Sequence, residues 1–236
     1  MSRSINTKLI NPSQRQFEWD GSNGGFRYYD KVEKIKVAVE LPFSFLVLDT
    51  LSSIKGFSDE QQSGYWSNEV RNISKEPITV RAKKGIVAEG IYKEIIGQVI
   101  GGKYCQSCYI AFKGEDDKLI IGNISIMGAC LSAWIDFRKG KDVFVGAVAV
   151  EKMTSAKKGA TKYFIPEFSI KEVSPETDTV AKLLDGELQD YLKKYFAKSG
   201  VEVAEKENRE VMNDNPNDEE IQNDSTTGVP ADDLPF

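Results

Sequence analysis

GACLSAWIDFRKGKDVFVGAVAVEKMTSAKKGATKYFIPEFSIKE, residues 128–172, changes its hydrophobic period partway along. In its first eleven residues Ala129, Ala133, Trp134 and Phe137 recur at spacings of three and four, which predicts a short helix over 128–138 with Trp134 facing a core. The remainder predicts a hairpin with strands near 142–152 and 162–172. The stretch Met153–Thr161 between them reads as a loop, too long for a two-residue turn.

Working outward, residues 103–113 and 118–127 predict two strands joined by the acidic turn Gly114-Glu-Asp-Asp117. Further upstream, Ile35, Val37, Val39 and Leu41 alternate with Lys34 and Lys36; Phe43, Phe45 and Val47 continue the pattern beyond a bend or edge at Pro42. Residues 50–76 are polar and glycine-bearing, and are consistent with a short helix or a long loop. Ile78, Val80 and Ala82 then alternate with Thr79, Arg81 and Lys83, and residues 86–96 form an apolar segment of either period. Five or more strands with a helix before the last hairpin predict a mainly β chain, organised as an OB-fold barrel whose final hairpin loop lines a groove. After it, Ser174-Pro175 supplies an N-cap and a first-turn proline for a helix over 175–199. Its apolar stripe is Val180, Leu183, Leu184, Leu188, Tyr191, Leu192, Tyr195 and Phe196, which must pack on its own barrel or on a second copy. A monomer and a dimer both fit.

Charge divides the 236 residues at Gly200. Residues 1–200 hold 29 Lys and Arg against 25 Asp and Glu, a net of +4; residues 201–236 hold 2 against 11, a net of −9. The second segment has few large apolar residues and cannot offset the entropy of ordering, so it is expected to be a disordered acidic tail. A basic body carrying such a tail fits a nucleic-acid binder whose tail competes for the binding groove, as well as a plain solubilising extension.

The residues Asp232-Asp233-Leu234-Pro235-Phe236 place two carboxylates, an aliphatic, a stiff proline and an aromatic within five positions. A partner pocket could bury the Phe236 ring while a basic rim holds the carboxylates, with Pro235 lowering the ordering cost. This stretch resembles the C-terminal tip of bacterial single-stranded DNA-binding proteins, which end in acidic residues followed by Ile-Pro-Phe or Leu-Pro-Phe. The body lacks the usual bacterial pattern and looks more like the divergent phage-encoded versions. The resemblance implies a protein that coats ssDNA in replication, recombination and repair. It also implies that Asp232, Asp233, Leu234, Pro235 and Phe236 recruit replication and repair proteins.

Holding ssDNA takes cations along the backbone path and flat rings for the bases. Residues 15–29 interleave Phe17, Trp19, Phe26, Tyr28 and Tyr29 with Arg15 and Arg27 around glycines. Trp19 and at least one of Phe26, Tyr28 and Tyr29 are candidates either for stacking or for packing on a barrel edge. Tyr65 and Trp66, in the polar connection, are further candidates. For phosphates the grouped cations Arg81, Lys83, Lys84, Lys157, Lys158 and Lys162 stand out, on one strand and one loop.

Several classes are disfavoured. The chain has no histidine, hence no Ser-His-Asp or Cys-His pair and no enzymatic activity of that kind. Cys105, Cys108 and Cys130 are an odd number, which argues for reduced thiols, and Cys105-x-x-Cys108 lacks the further ligands a structural zinc needs. No phosphate loop is present, so no cofactor is expected; Glu115-Asp116-Asp117 could ligate a nuclease metal but reads as a solvated turn. No apolar run approaches the roughly 20 residues of a membrane span, and no secretory pattern opens the chain, so a cytoplasmic location is expected. The chief rival function is an ssDNA-annealing or recombination-mediator protein.

Overall fold

In a computed structural model of the protein, residues 9–60 and 62–197 are described. The tail 201–236, its tip Asp232–Phe236 and the last two residues expected in the C-terminal helix lie outside them.

The described chain is mainly β, and its architecture turns on one long strand. Strand β4 (Phe43–Ser58) follows β1 (Arg15–Asp20), β2 (Gly25–Asp30) and β3 (Ile35–Val39), separated from β3 by a cis Leu41-Pro42 bond at the expected bend. One edge of β4 pairs antiparallel with β8 (Gly102–Lys113) over almost its full length, from Phe45 opposite Phe112 to Gly56 opposite Gly102. Its other edge is divided. Phe43–Leu46 pair with β10 (Ala147–Lys158), Ser52 bridges to Val70, and Lys55–Ser58 pair with β5 (Ser63–Ser67). From β5 the sheet continues to β6 (Ile78–Ala82) and β7 (Gly85–Gly90), followed by a single helical turn, α1 (Tyr92–Ile95). On the far side of β8 lie β9 (Leu119–Ile126), then β1, β2 and β3, with β1 and β9 parallel and every other pair antiparallel. Helix α2 (Gly128–Arg138) joins β9 to β10, which turns into β11 (Thr161–Lys171), and helix α3 (Pro175–Ala197) closes the described chain.

Residues 50–58 and 63–67 of the polar stretch are therefore strand, not helix or loop. Thr50, Ser52 and Ser53 lie among apolar neighbours that are all buried, so burial of the ladder carries the strand where alternation fails.

The sheet curls around one core. Phe17, Phe26, Phe43, Phe45 and Phe112 form a chain of ring contacts with centroids 4.9–6.5 Å apart. Helix α2 plugs it with Trp134, fully buried, whose ring meets Phe168 of β11 at 5.2 Å. A second cluster lies on the opposite face, where Ala181, Leu188, Tyr191, Leu192 and Tyr195 of α3 cover Leu46, Leu48, Leu51, Tyr109, Ala111 and Ile121. Helix α3 thus packs on its own sheet. Ser174 caps it, its hydroxyl accepting from the Thr177 amide at 3.2 Å. Two members of the expected stripe fall outside the contact: Val180 is 41% exposed and Leu183 71%. At about 100° per residue, Leu183 lies about a third of a turn from the line through Ala181, Leu188, Tyr191 and Tyr195.

Candidate nucleic-acid interface

The hairpin β10–β11 carries a group of exposed cations. Only Ala147–Val150 have β4 beside them; from Glu151 to Thr161 the side chains are exposed, apart from a half-buried Ala156, and the two strands project as an arm. The expected loop 153–161 is absent. Pairing continues to Lys158 opposite Thr161, and Gly159-Ala160 make a two-residue turn, Gly159 holding φ 58° at the first central position where a type II′ turn favours glycine. Register places Ser155, Lys157, Lys162 and Phe164 on one face of the arm and Ala156, Lys158, Thr161 and Tyr163 on the other. The Lys162 ammonium stands 5.3 Å from the Phe164 ring centroid, and Lys152, Lys157 and Lys162 have no carboxylate partner among the described residues.

The arm's base rests on the turn of the β1–β2 hairpin. The Phe164 amide donates to Gly21 O at 2.8 Å, and Trp19 Nε1 donates to Phe164 O at 2.9 Å. At Gly24, with φ 74°, a Cβ would stand 2.1 Å from Met153 Sδ and 2.9 Å from Phe164 Cγ, so only glycine permits this approach. Trp19, Phe164, Lys157 and Lys162 are thereby brought to one side of the molecule.

Other expected site residues lie elsewhere. Phe26, 1% exposed, is a core residue: β1 and β2 point Phe17, Trp19, Phe26 and Tyr28 to the core, so Phe26 has no face for a base. Tyr65 and Trp66 are buried because β5 is an internal strand of the sheet and not a polar connection. Arg81, 3% exposed, lies in β6 between β5 and β7, where it does not reach a backbone phosphate on the surface. Tyr28 is half-buried against the core, its outer side covered by the Arg15 guanidinium 4.5 Å from the ring centroid. Tyr29 points the other way, to the outer face beside Arg27, and pairs with Lys36 of β3. Lys83 and Lys84 are exposed as the two turn residues between β6 and β7, which attach to the end of β4 opposite the arm. Lys158, like Lys157 and Lys162, is exposed on the arm.

Charge on the β1–β2 hairpin is internally balanced. Arg27 Nε meets Glu18 at 2.7 Å and Arg27 Nη1 meets Asp20 at 3.0 Å, while Arg15 pairs with Glu115. Burial opposes the Asp20 charge, yet the Asn23 hydrogen bond and the Arg27 guanidinium outweigh it and hold the carboxyl below its usual range. Glu115, Asp116 and Asp117 sit in the β8–β9 turn, Asp116 with Lys118 at 3.0 Å and Asp117 with Lys113 at 3.5 Å. The three thiols are fully buried, and burial pushes Cys108 up to about 12 and raises Cys105 and Cys130.

The sequence reading missed Tyr163 and Phe164, which share the arm with the lysines, and the outer-face residues Lys55, Asn123 and Ser125. A signal for the former was present, since Lys162-Tyr163-Phe164 mirrors Lys157-Lys158 across Gly159. The chain matches no protein-family model, no curated protein and no solved structure. Among the described residues no helix is long and apolar enough to cross a membrane.

Proposed function

We infer that the chain is a cytoplasmic single-stranded DNA-binding protein with an OB-type body, whose acidic segment 201–236 recruits replication, recombination and repair proteins through Asp232–Phe236. The observation that carries the reading is the arm: a projecting two-stranded ribbon with lysines at its tip and an aromatic ring on each face. Cations along a backbone path interleaved with rings are what sequence-tolerant ssDNA binding needs. The OB reading is supported by the run β4, β8, β9, α2, β10, β11. In it the first strand pairs with both the second and the fourth, and the helix precedes the last hairpin, the element whose loop flanks the groove in such barrels.

Anisotropy titrations of labelled ssDNA, duplex DNA and RNA at two salt concentrations test this. Tight, salt-reversed binding of ssDNA over duplex is expected, with no cleavage on adding magnesium or manganese; preference for duplex overturns it. Removing residues 201–236 should tighten ssDNA binding at low salt, because a competing polyanion is gone.

The two-sidedness of the arm favours a second reading, strand annealing. One face offers Phe164 with Lys157 and Lys162, the other Tyr163 with Lys158, so two strands could be held at once. Accelerated pairing of complementary oligonucleotides would mark an annealing protein; slowed pairing would mark a protector.

A further inference from the structure

On the outer face of the sheet, beyond the patch covered by α3, small polar side chains of three adjacent strands lie together. Ser53 belongs to β4, Ser107 to β8, and Asn123 and Ser125 to β9, with Ser107 directly opposite Ser125. They are 1%, 0%, 4% and 6% exposed. Two longer side chains converge on Ser125 at one side of this group. Lys55 of β4 pairs with Lys103 of β8, yet its ammonium reaches a strand further to donate to Ser125 Oγ at 2.7 Å. Gln16 Nε2 of β1 approaches the same hydroxyl from the other side at 3.4 Å.

The floor beneath is incompletely satisfied. Asn123 Nδ2 donates to Ser107 Oγ at 2.7 Å, while its Oδ1, also buried, accepts no hydrogen bond among the described residues. A buried carbonyl oxygen without a donor is costly, and a ligand that supplies the donor recovers the cost. Above it, Lys55 has no carboxylate partner among the described residues; its ammonium is held by a neutral hydroxyl alone. The roof is two flexible chains sharing one acceptor, whereas the floor is fixed in the sheet ladder. Displacing the former frees the Ser125 side of the latter.

We propose that this trough is a nucleotide subsite that discriminates between bases: the base enters over Ser107 and Ser125, its exocyclic amine donates to Asn123 Oδ1, and the displaced Lys55 ammonium takes the adjacent phosphate. Cytosine presents an amine at its 4-position, where thymine presents a carbonyl oxygen that Asn123 Oδ1 would repel. The inference rests on the ssDNA reading and adds to it a preference that stacking and charge alone would not create.

Anisotropy titrations of the full chain with labelled oligodeoxycytidine and oligodeoxythymidine of equal length test it. The unaltered protein should bind the cytidine oligomer about five-fold more tightly, the effect of about one net hydrogen bond. Asn123→Ala should abolish that difference and leave thymidine binding within about two-fold, while Lys55→Met should weaken both alike and lower the salt slope by about 0.7. Equal affinity for the two oligomers in the unaltered protein, or preference for thymidine, overturns the subsite while leaving ssDNA binding intact. That comparison needs no variant, so a fold defect in Asn123→Ala cannot obscure it. Failure to bind either oligomer removes the ssDNA reading and the subsite together.

Discussion

Residues 15–30 and 147–171 each fold into a hairpin that interleaves aromatic and basic side chains around a glycine-bearing turn. In β1–β2 the rings of Phe17, Trp19, Phe26 and Tyr28 share one face, and that face packs on the core; Arg27 on the other side is neutralised by Glu18 and Asp20. In β10–β11 only Ala147–Val150 have a neighbouring strand on the second edge among the described residues, and from Glu151 to Thr161 the side chains are exposed apart from Ala156. What separates them is the number of neighbours, not the composition. A strand between two others is drawn into the core, so its rings serve stability. A ribbon that leaves the sheet keeps its rings and lysines for solvent or a partner. A two-stranded ribbon is marginal on its own, and this one is steadied by the Trp19 and Gly24 contacts at its base.

The largest effect that could break this contrast is on stability. Phe26→Ala should destabilise the protein by about 3–5 kcal/mol, because the ring touches Trp19, Phe43 and Phe45 at centroid distances of 5.2–6.5 Å and leaves a cavity behind. Tyr163→Ala, out on the arm, should change it by no more than about 0.5 kcal/mol. Urea melts of the two variants measure both; a Phe26→Ala protein as stable as the parent would return the first hairpin to the candidate surface.

DNA binding should respond in the reverse order. Replacing Lys157, Lys158 and Lys162 together by alanine should reduce the slope of log affinity against log salt by about 2, three single-strand phosphate contacts at about 0.7 each. Arg27→Ala, which loses only its Glu18 and Asp20 partners, should leave the slope unchanged. Titrations across a salt series decide between them.

The parts of the fold that were legible in the sequence are those where one face is buried. Strands β8 and β9 and helix α2 follow their expected bounds to within a residue or two, and Trp134 is core, because a regular core-facing pattern survives in those segments. The arm carries no strand signal because neither face of 153–158 is buried, and a strand without a buried face has no period to detect. The β1–β2 hairpin is ambiguous in sequence for another reason. Phe17-x-Trp19 and Phe26-x-Tyr28 do alternate about a glycine-rich turn, but a polar, aromatic composition also fits a binding loop, and only the parallel pairing with β9 decides the matter. Long-range pairing also explains Tyr65, Trp66 and Arg81, whose burial depends on strands that no local window contains.

A smaller effect sharpens the link between the two hairpins. Trp19→Phe removes the indole donor to Phe164 O while keeping most of the ring's contact with Phe26, and should cost about 1 kcal/mol. Because this bond holds the arm's base, faster amide exchange at the arm than in β8 should accompany the loss. Unchanged exchange would mean that the close approach at Gly24 seats the arm by itself.

The smallest expected effect concerns the charges that neutralise the first hairpin. Asp20 has its carboxyl held low by Asn23 and Arg27 against the opposing influence of burial. A carboxyl whose folded value lies below its unfolded one contributes stability at every pH above the unfolded value, and that contribution disappears as pH falls through the folded one. The parent should therefore lose stability on acidification through and below the ordinary aspartate range more steeply than Asp20→Asn, with the two differing by about 1 kcal/mol at most near neutrality, where such partly exposed pairs are weak. Thermal melts over an acidic pH series measure the difference. Parallel curves would show that Arg27 is not tied to Asp20 in solution, and the charge balance of the first hairpin would then rest on the Arg27–Glu18 pair alone.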